Sequence, residues 1–273
     1  DGEIVVKTEE YKGIVQNKKI RSLPIIRGVF SFIDSMVLGM STLTYSASFF
    51  MDEEEEEKDE KKESVMMGLT IACSVVMAVA IFMILPYFLS QLFRKFTDST
   101  TLITLLEGAV RLVIFFGYIL LISRMKDIQR VFMYHGAEHK CINCIEHGME
   151  LNVENVLKSS RLHKRCGTSF LFIVMIVSII FFLFIRIESP IWRVVFRLLL
   201  IPVIAGVSFE FIRLAGKSEN KLVIFLSKPG MMLQKLTTRE PDASMAEVAI
   251  ASVEAVFDWR AYLKENFGWQ EKV

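Results

Sequence analysis

Phe170-Leu171-Phe172-Ile173-Val174-Met175-Ile176-Val177-Ser178-Ile179-Ile180-Phe181-Phe182-Leu183-Phe184-Ile185 contains no charged residue. Extended from about Thr168 to Ile187, it reaches the roughly 20 residues that a helix needs to cross about 30 Å of hydrocarbon. Three more segments do the same: Val65 to Leu89, Leu105 to Ile122 and Trp192 to Ile212. In a soluble protein such runs would be buried core helices, and four of them in 273 residues exceed what a core of that size takes up. The pattern predicts an all-α integral membrane protein of about four transmembrane helices, joined by a cytosolic metal-binding loop module and amphipathic helices.

The rest of the chain fits that frame. It is 52% apolar with a mean hydropathy of +0.42, above the roughly 45–50% apolar share of ordinary soluble domains. A formal net charge of +1 provides no global basic field, so no nucleic-acid partner is predicted. The polar start, Asp1 to Glu10, begins no signal peptide. Without an initiator Met, the chain is expected to be a fragment or a mature form. A fifth candidate, Pro24 to Phe50, contains Arg27, Asp34 and many Ser and Thr; it is expected to be interfacial or partly inserted. The acidic stretch Asp52 to Glu63 is expected to be a solvated loop.

Basic residues orient the spans. Eight Lys or Arg lie between Arg124 and Arg165, six between Lys7 and Arg27, and six more between Arg213 and Arg239. Between the first two spans there are only Arg94 and Lys95. Four crossings with both termini in the cytosol put every basic-rich segment inside. The resulting divisions are a cytosolic N-terminal region (1–64), a transmembrane hairpin (65–122), a cytosolic loop (123–167), a second hairpin (168–212) and cytosolic C-terminal amphipathic helices (213–273). Among the latter, Ser244-Met245-Ala246-Glu247 has the form of a capping box. Ala246, Ala249, Ile250, Val253, Val256 and Phe257 then recur at helical spacing. This predicts an amphipathic helix of about 20 residues that docks on the central loop, the membrane or a partner.

The central loop concentrates the chemistry. It holds all four histidines, His135, His139, His147 and His163, and three of the four cysteines, Cys141, Cys144 and Cys166. His135-Gly136-Ala137-Glu138-His139 has the form H-x-x-E-H, the inverted order of the zinc-peptidase motif. On a helix the two imidazoles share a face and can bind one metal, with Glu138 beside them as a general base. Glu146, eleven residues after His135, falls on the same face if the helix continues. A second pattern overlaps: Cys141-Ile142-Asn143-Cys144 and His163-Lys164-Arg165-Cys166, which suit a closed structural Cys₃His zinc site. The two patterns are either separate sites or compete for ligands. The plain alternative is an ordinary solvated loop. Mixed imidazole and thiolate donors favour a divalent transition metal, above all Zn²⁺.

Ionisable residues inside spans are costly in hydrocarbon. Glu107 and Arg111 are one turn apart and can pair. Glu210 is either a carboxylate reaching the loop site or an interfacial residue extending to water.

Tyr134-His135-Gly136-Ala137-Glu138-His139-Lys140, Asn143-Cys144 with Glu146, and Arg161-Leu162-His163-Lys164-Arg165-Cys166-Gly167-Thr168-Ser169-Phe170 resemble the bacterial YqhQ-like family over nearly the whole chain. So does Thr238-Arg239-Glu240-Pro241. The resemblance implies an uncharacterised family of membrane proteins expected to be metal-dependent. It implies a metal set drawn from His135, His139, Cys144, His163 and Cys166, with Glu138 and Glu146 as catalytic carboxylates. It also implies a mixed site rather than Cys₃His, since the position of Cys141 is less fixed in the family. A Gly-Gly-Gln and Glu-Gly-Val-Met-Met stretch that usually opens the family is not found upstream of Asp1. Together these readings predict a membrane-embedded metal-dependent hydrolase acting on a peptide or lipid headgroup at the cytosolic face. The alternative is a non-catalytic subunit, stapled by its metal, of a larger membrane assembly such as protein-insertion machinery, with the lipid bilayer and protein partners around it.

Overall fold

The computed structural model describes residues 2–49, 60–185, 187, 189–217 and 220–270. Among these, every regular element is helical. In order they are α1 (Lys18–Ser22), α2 (Ile26–Ser48), α3 (Glu60–Val79), α4 (Leu85–Gln91), α5 (Thr100–Ile122), α6 (Lys126–Glu146), α7 (Val153–Lys158), α8 (Gly167–Phe184), α9 (Pro190–Lys217), α10 (Lys221–Thr237), α11 (Ala243–Glu254) and α12 (Trp259–Phe267). A π-helical turn, Ala80–Ile84, joins α3 to α4, and a 3₁₀ turn, Leu92–Lys95, follows α4. Most of the acidic stretch expected to be a loop lies outside the described residues, and its end opens α3.

Among the described residues, five helical stretches are long and apolar enough to cross a membrane: Ile26–Ser46, Val65–Lys95, Thr100–Ile122, Gly167–Phe184 and Ile191–Gly216. This is compatible with a multi-pass membrane protein. Ile26–Ser46 is the one expected to be interfacial; its Ser and Thr hydroxyls bond back to the helix's own carbonyls, as Ser35 does to Ser31 and Thr42 to Leu38.

The chain divides into two compact units. The bundle unit comprises Tyr11–Gly117 and Val174–Glu210. At its centre Glu107 of α5 accepts a bidentate ion pair from Arg197 of α9, Nη2 to Oε2 at 2.9 Å, and a second from Arg111 Nη2 at 3.0 Å. Arg111 also donates to Ser178 Oγ of α8 at 3.2 Å and to the carbonyl of Phe82 at 2.9 Å. Phe82 is four residues before Pro86, and a proline has no N–H to offer that carbonyl. Both guanidinium groups lie over the ring of Phe182, at 5.1 and 4.6 Å. Glu107 and Arg197 each sit two turns from their helix starts, and Ser178 six residues before the end of α8, so α5 and α9 run one way and α8 the other. Arg193 lies over Tyr87 at 5.1 Å, setting the start of α9 beside α4. The start of α2 meets the other end of α9. Arg27 forms a bidentate pair with Glu210, Nε to Oε1 at 2.6 Å, and the Ile25 amide donates to the same carboxylate at 3.3 Å. Gly28 and Gly206 allow this approach: a Cβ on Gly28 would stand 2.8 Å from the Gly206 carbonyl oxygen.

The loop unit comprises Asp1–Glu10, Tyr118–Ile173 and Phe211–Val273. Its core is formed where one face of α6, through Cys141, Cys144 and Ile145, meets Val156 of α7, Ala246 of α11 and Leu263 of α12. The C-terminal stretch is two helices rather than one of 20 residues. Asp242, not Ser244, caps α11, accepting the Met245 amide at 2.9 Å; a carboxylate outcompetes the hydroxyl there, and Ser244 donates to it instead. Asp258 starts α12 in the same way through the Ala261 amide. Of the docking options, α11 takes the central segment: Ala249, Ile250 and Val253 pack on the core, while Val256 and Phe257 stay exposed.

Candidate functional site

Because α6 runs unbroken from Lys126 to Glu146, His135 and His139 stand one turn apart, with ring centroids at 4.4 Å. Gly136 lets α6 press against the segment after α10, since a Cβ there would collide with the Arg239 carbonyl oxygen. The Arg239 amide donates to Phe132 O at 2.8 Å and seals the contact. That segment orients the first imidazole: His135 Nδ1 lies 2.9 Å from the carbonyl oxygen of Thr237. His139 Nδ1 lies 2.7 Å from the carbonyl oxygen of Arg161. A carbonyl oxygen only accepts, so Nδ1 carries the proton in both rings. The Nε2 atoms are left as lone pairs.

Those lone pairs meet Cys166. Its Sγ is 3.3 Å from His135 Nε2 and 3.3 Å from Thr168 Oγ1. One donor atom from each of His135, His139 and Cys166 lies within 4.8 Å of the other two. Burial pushes the Cys166 thiol up, but when the rings take a second proton, on Nε2, hydrogen bonds from His135 and His139, with one from Thr168, outweigh it and bring it down to about 5. Burial lowers His135, yet the Cys166 bond and charge raise it above its ordinary value. Two imidazole lone pairs and a thiolate facing one point repel one another unless a cation sits between them. The donor set suits a divalent transition metal: soft sulfur, two neutral imidazoles, and each ring held from behind by a backbone carbonyl.

The other expected site residues take different places. His163 is adjacent, its ring centroid 5.8 Å from that of His139, but in the opposite tautomer. Its Nδ1 accepts the Arg165 amide at 3.3 Å, so Nε2–H donates to Glu146 Oε2 at 3.2 Å. Glu146 is also paired with Arg165, at 3.2 Å, on the same face of α6 as the two histidines. Glu138 is exposed and outside the donor cluster. Cys144 follows His135 by nine residues, two and a half turns, and so faces the opposite way. There it donates to Glu150 O at 3.3 Å, and burial holds its thiol at about 11; Cys141 beside it is held at about 12. Glu210 belongs to the Arg27 pair in the bundle unit.

Several supporting residues carry no sequence signal of their own. Gln234, fully buried, accepts the His163 amide at 2.8 Å and donates to His163 O and Ser169 Oγ, both at 2.7 Å. Lys140, also buried, ties Leu157 O and Ser159 O, each at 2.8 Å, to Glu240 at 2.9 Å.

Residues 23–259 match the family model described as "Protein of unknown function (DUF1385)". The chain belongs to that family. It is 35% identical over 258 residues to the uncharacterized protein YqhQ of Bacillus subtilis (strain 168), covering 90% of this chain and 81% of that protein. No solved structure matches the chain. The DUF1385 match takes in the whole cluster and the backbone that orients it, from His135 to Thr237, and also the Arg27–Glu210 pair.

Proposed function

We propose that this chain is a multi-pass protein of the bacterial inner membrane in which His135, His139 and Cys166 hold one divalent transition metal ion, zinc by preference, at the cytosolic face, and that the centre is hydrolytic. The observation that carries this reading is the fixed tautomer of His135 and His139. Both Nδ1–H groups are spent on backbone carbonyls, the outer arrangement that metal-binding histidines use. Three protein donors, rather than four, is the set that leaves a coordination position for a substrate. Such an ion supplies Lewis acidity. Glu146, steered by His163 and Arg165, would take the proton from the attacking water as its oxygen adds to a peptide carbonyl or a lipid-headgroup ester, and would return that proton to the amine or alcohol that leaves as the scissile bond breaks. Glu138 is the second candidate for that role.

The topology rests on an argument from parity. The end of the α3–α4 rod lies with the start of α9, so the start of α3 belongs to the opposite side. The start of α2 lies with Glu210, about 20 Å further along α9 than Arg197, on that same opposite side. The starts of α2 and α3 then share a side, which supports four crossings with α2 lying in or along one leaflet. Five Lys or Arg from Lys12 to Arg27, at the start of α2, assign that side to the cytosol.

The test combines metal analysis of detergent-purified protein with complementation of a deletion strain. About one zinc-type ion per chain is expected, lost in the double variant His135→Ala, His139→Ala. Glu146→Gln should keep the metal and lose function. A full metal complement in the double variant sinks the centre. Full complementation by both Glu146→Gln and Glu138→Gln ends the hydrolase reading and leaves a metal-stapled assembly subunit.

A further inference from the structure

We propose that a cavity of about 460 Å³ walled by Arg161, Lys235 and Arg239 binds a phosphate ester. Its other lining residues are Ser123, Met133, Leu236, Thr238 and Glu240. Against three cations stands one carboxylate, and Glu240 is already shared between Arg161, at 3.1 Å, and the buried Lys140, at 2.9 Å. Arg239 spends one nitrogen on Ser123 O at 2.9 Å, which fixes its fork at the rim. Lys235 is exposed at the last turn of α10, a mobile point charge beside two planar forks. Two guanidinium groups and an ammonium around one cavity suit the several oxygens of a phosphate better than the two of a carboxylate.

The cavity also has the right depth for a membrane phosphate. Ser123 is the first residue after Ile122, where the candidate span Thr100–Ile122 ends, so the lining stands at headgroup level, with Met133 and Leu236 as an apolar flank. The cavity and the cluster share a wall. Arg161 lines the cavity while its carbonyl oxygen holds the His139 ring. Thr238 lines it and accepts from the Arg161 guanidinium, while the carbonyl of its neighbour Thr237 holds the His135 ring. Phosphate recognition stands on these contacts alone; the role of the bound ester as substrate rests on the hydrolase reading.

The experiment is calorimetric titration of the full chain in neutral detergent with three probes: inorganic phosphate, glycerol phosphate and short-chain phosphatidylglycerol. Saturable binding is expected, with Lys235→Glu weakening it at least tenfold, Lys235→Arg restoring most of it, and the metal content of both variants unchanged. Saturation by phosphatidylglycerol alone identifies a lipid headgroup; equal binding of the soluble probes identifies a free phosphate ester; both support the site. Wild-type protein that binds none of the three, or Lys235→Glu that binds as tightly as wild type, overturns it. Metal is measured in the same samples, so phosphate binding by a metal-free wild type would remove the hydrolase reading and leave this site standing.

Discussion

The bundle unit and the loop unit each bury a knot of ionisable side chains, and the two knots are built on opposite principles. Around Glu107 the protein supplies both signs of charge, and Arg111 finds a carbonyl, a hydroxyl and an aromatic face besides. Only the Nε of Arg197 is left as a buried donor without a partner among the described residues. Around Cys166 the protein gathers two imidazoles and a thiol, with the Thr168 hydroxyl beside them, and three of these groups can each offer an electron pair to one point. A knot that closes on itself holds helices together; a knot that does not close asks for something from outside. The same economy of buried charge that makes the first structural gives the second the donor set of a candidate binding site.

The comparison breaks most violently at Glu107. Glu107→Leu leaves two buried cations with no counter-charge and should cost about 3–5 kcal/mol, read by chemical unfolding in micelles. Arg197→Met leaves the Glu107–Arg111 pair matched and should cost clearly less. Equal losses would show that the counter-charge of Glu107 is not what holds this knot. Next in size, Cys166→Ser should lower metal affinity on the order of 100-fold or more while unfolding of the bundle hardly moves; a bundle that unfolds in step with metal loss would make both knots structural.

A backbone change should separate the ligands from their supports. Gly136→Ala drives a Cβ into the Arg239 carbonyl and shifts Thr237 off His135. A fall of about 10–100-fold in metal affinity is expected, measured by competition with a chelator; unchanged affinity would detach the Thr237 carbonyl from the site.

In metal-stripped protein the proton becomes the only available cation. The folded state holds the Cys166 thiol at about 5 against an ordinary 9.0. Its thiolate therefore contributes stability that is complete above pH 9, shrinks as pH falls, and is gone below about 5. His135, raised, has the opposite sign: its contribution is complete below its ordinary 6.5 and is lost as pH rises through the folded value. Thiolate absorbance near 240 nm should accordingly persist to about pH 5 for one cysteine, with Cys141 and Cys144 silent at neutral pH. A single rise near pH 9 would contradict the cluster. The smallest effect belongs to Cys144→Ala, about 1 kcal/mol of loop-unit stability with metal content intact.

What the sequence makes legible is whatever repeats locally. The uncharged run around Ile176 delivers α8 within a few residues of its observed ends, and H-x-x-E-H needs only an unbroken α6 to become a shared face. The same helical arithmetic, carried nine residues on, would have turned Cys144 away; the familiar look of C-x-x-C hides it. Long-range partners leave no trace at all. Glu107 and Arg111 are visible as neighbours, but Arg197 is 90 residues away. The carbonyl behind His135 is 102 residues away and belongs to a main chain, which bears no side-chain signature.

Pro86 has no N–H to offer the oxygen of Phe82, four residues back, and Arg111 donates to that oxygen. The imino acid thus acts as a solvent: it puts one water-like acceptor where no water enters, at the depth where a guanidinium needs it. Restoring a straight helix with Pro86→Ala would improve the rod by every local propensity rule and dehydrate its neighbour. In this bundle, the regularity of one helix and the ionisation of another are drawn from the same oxygen atom.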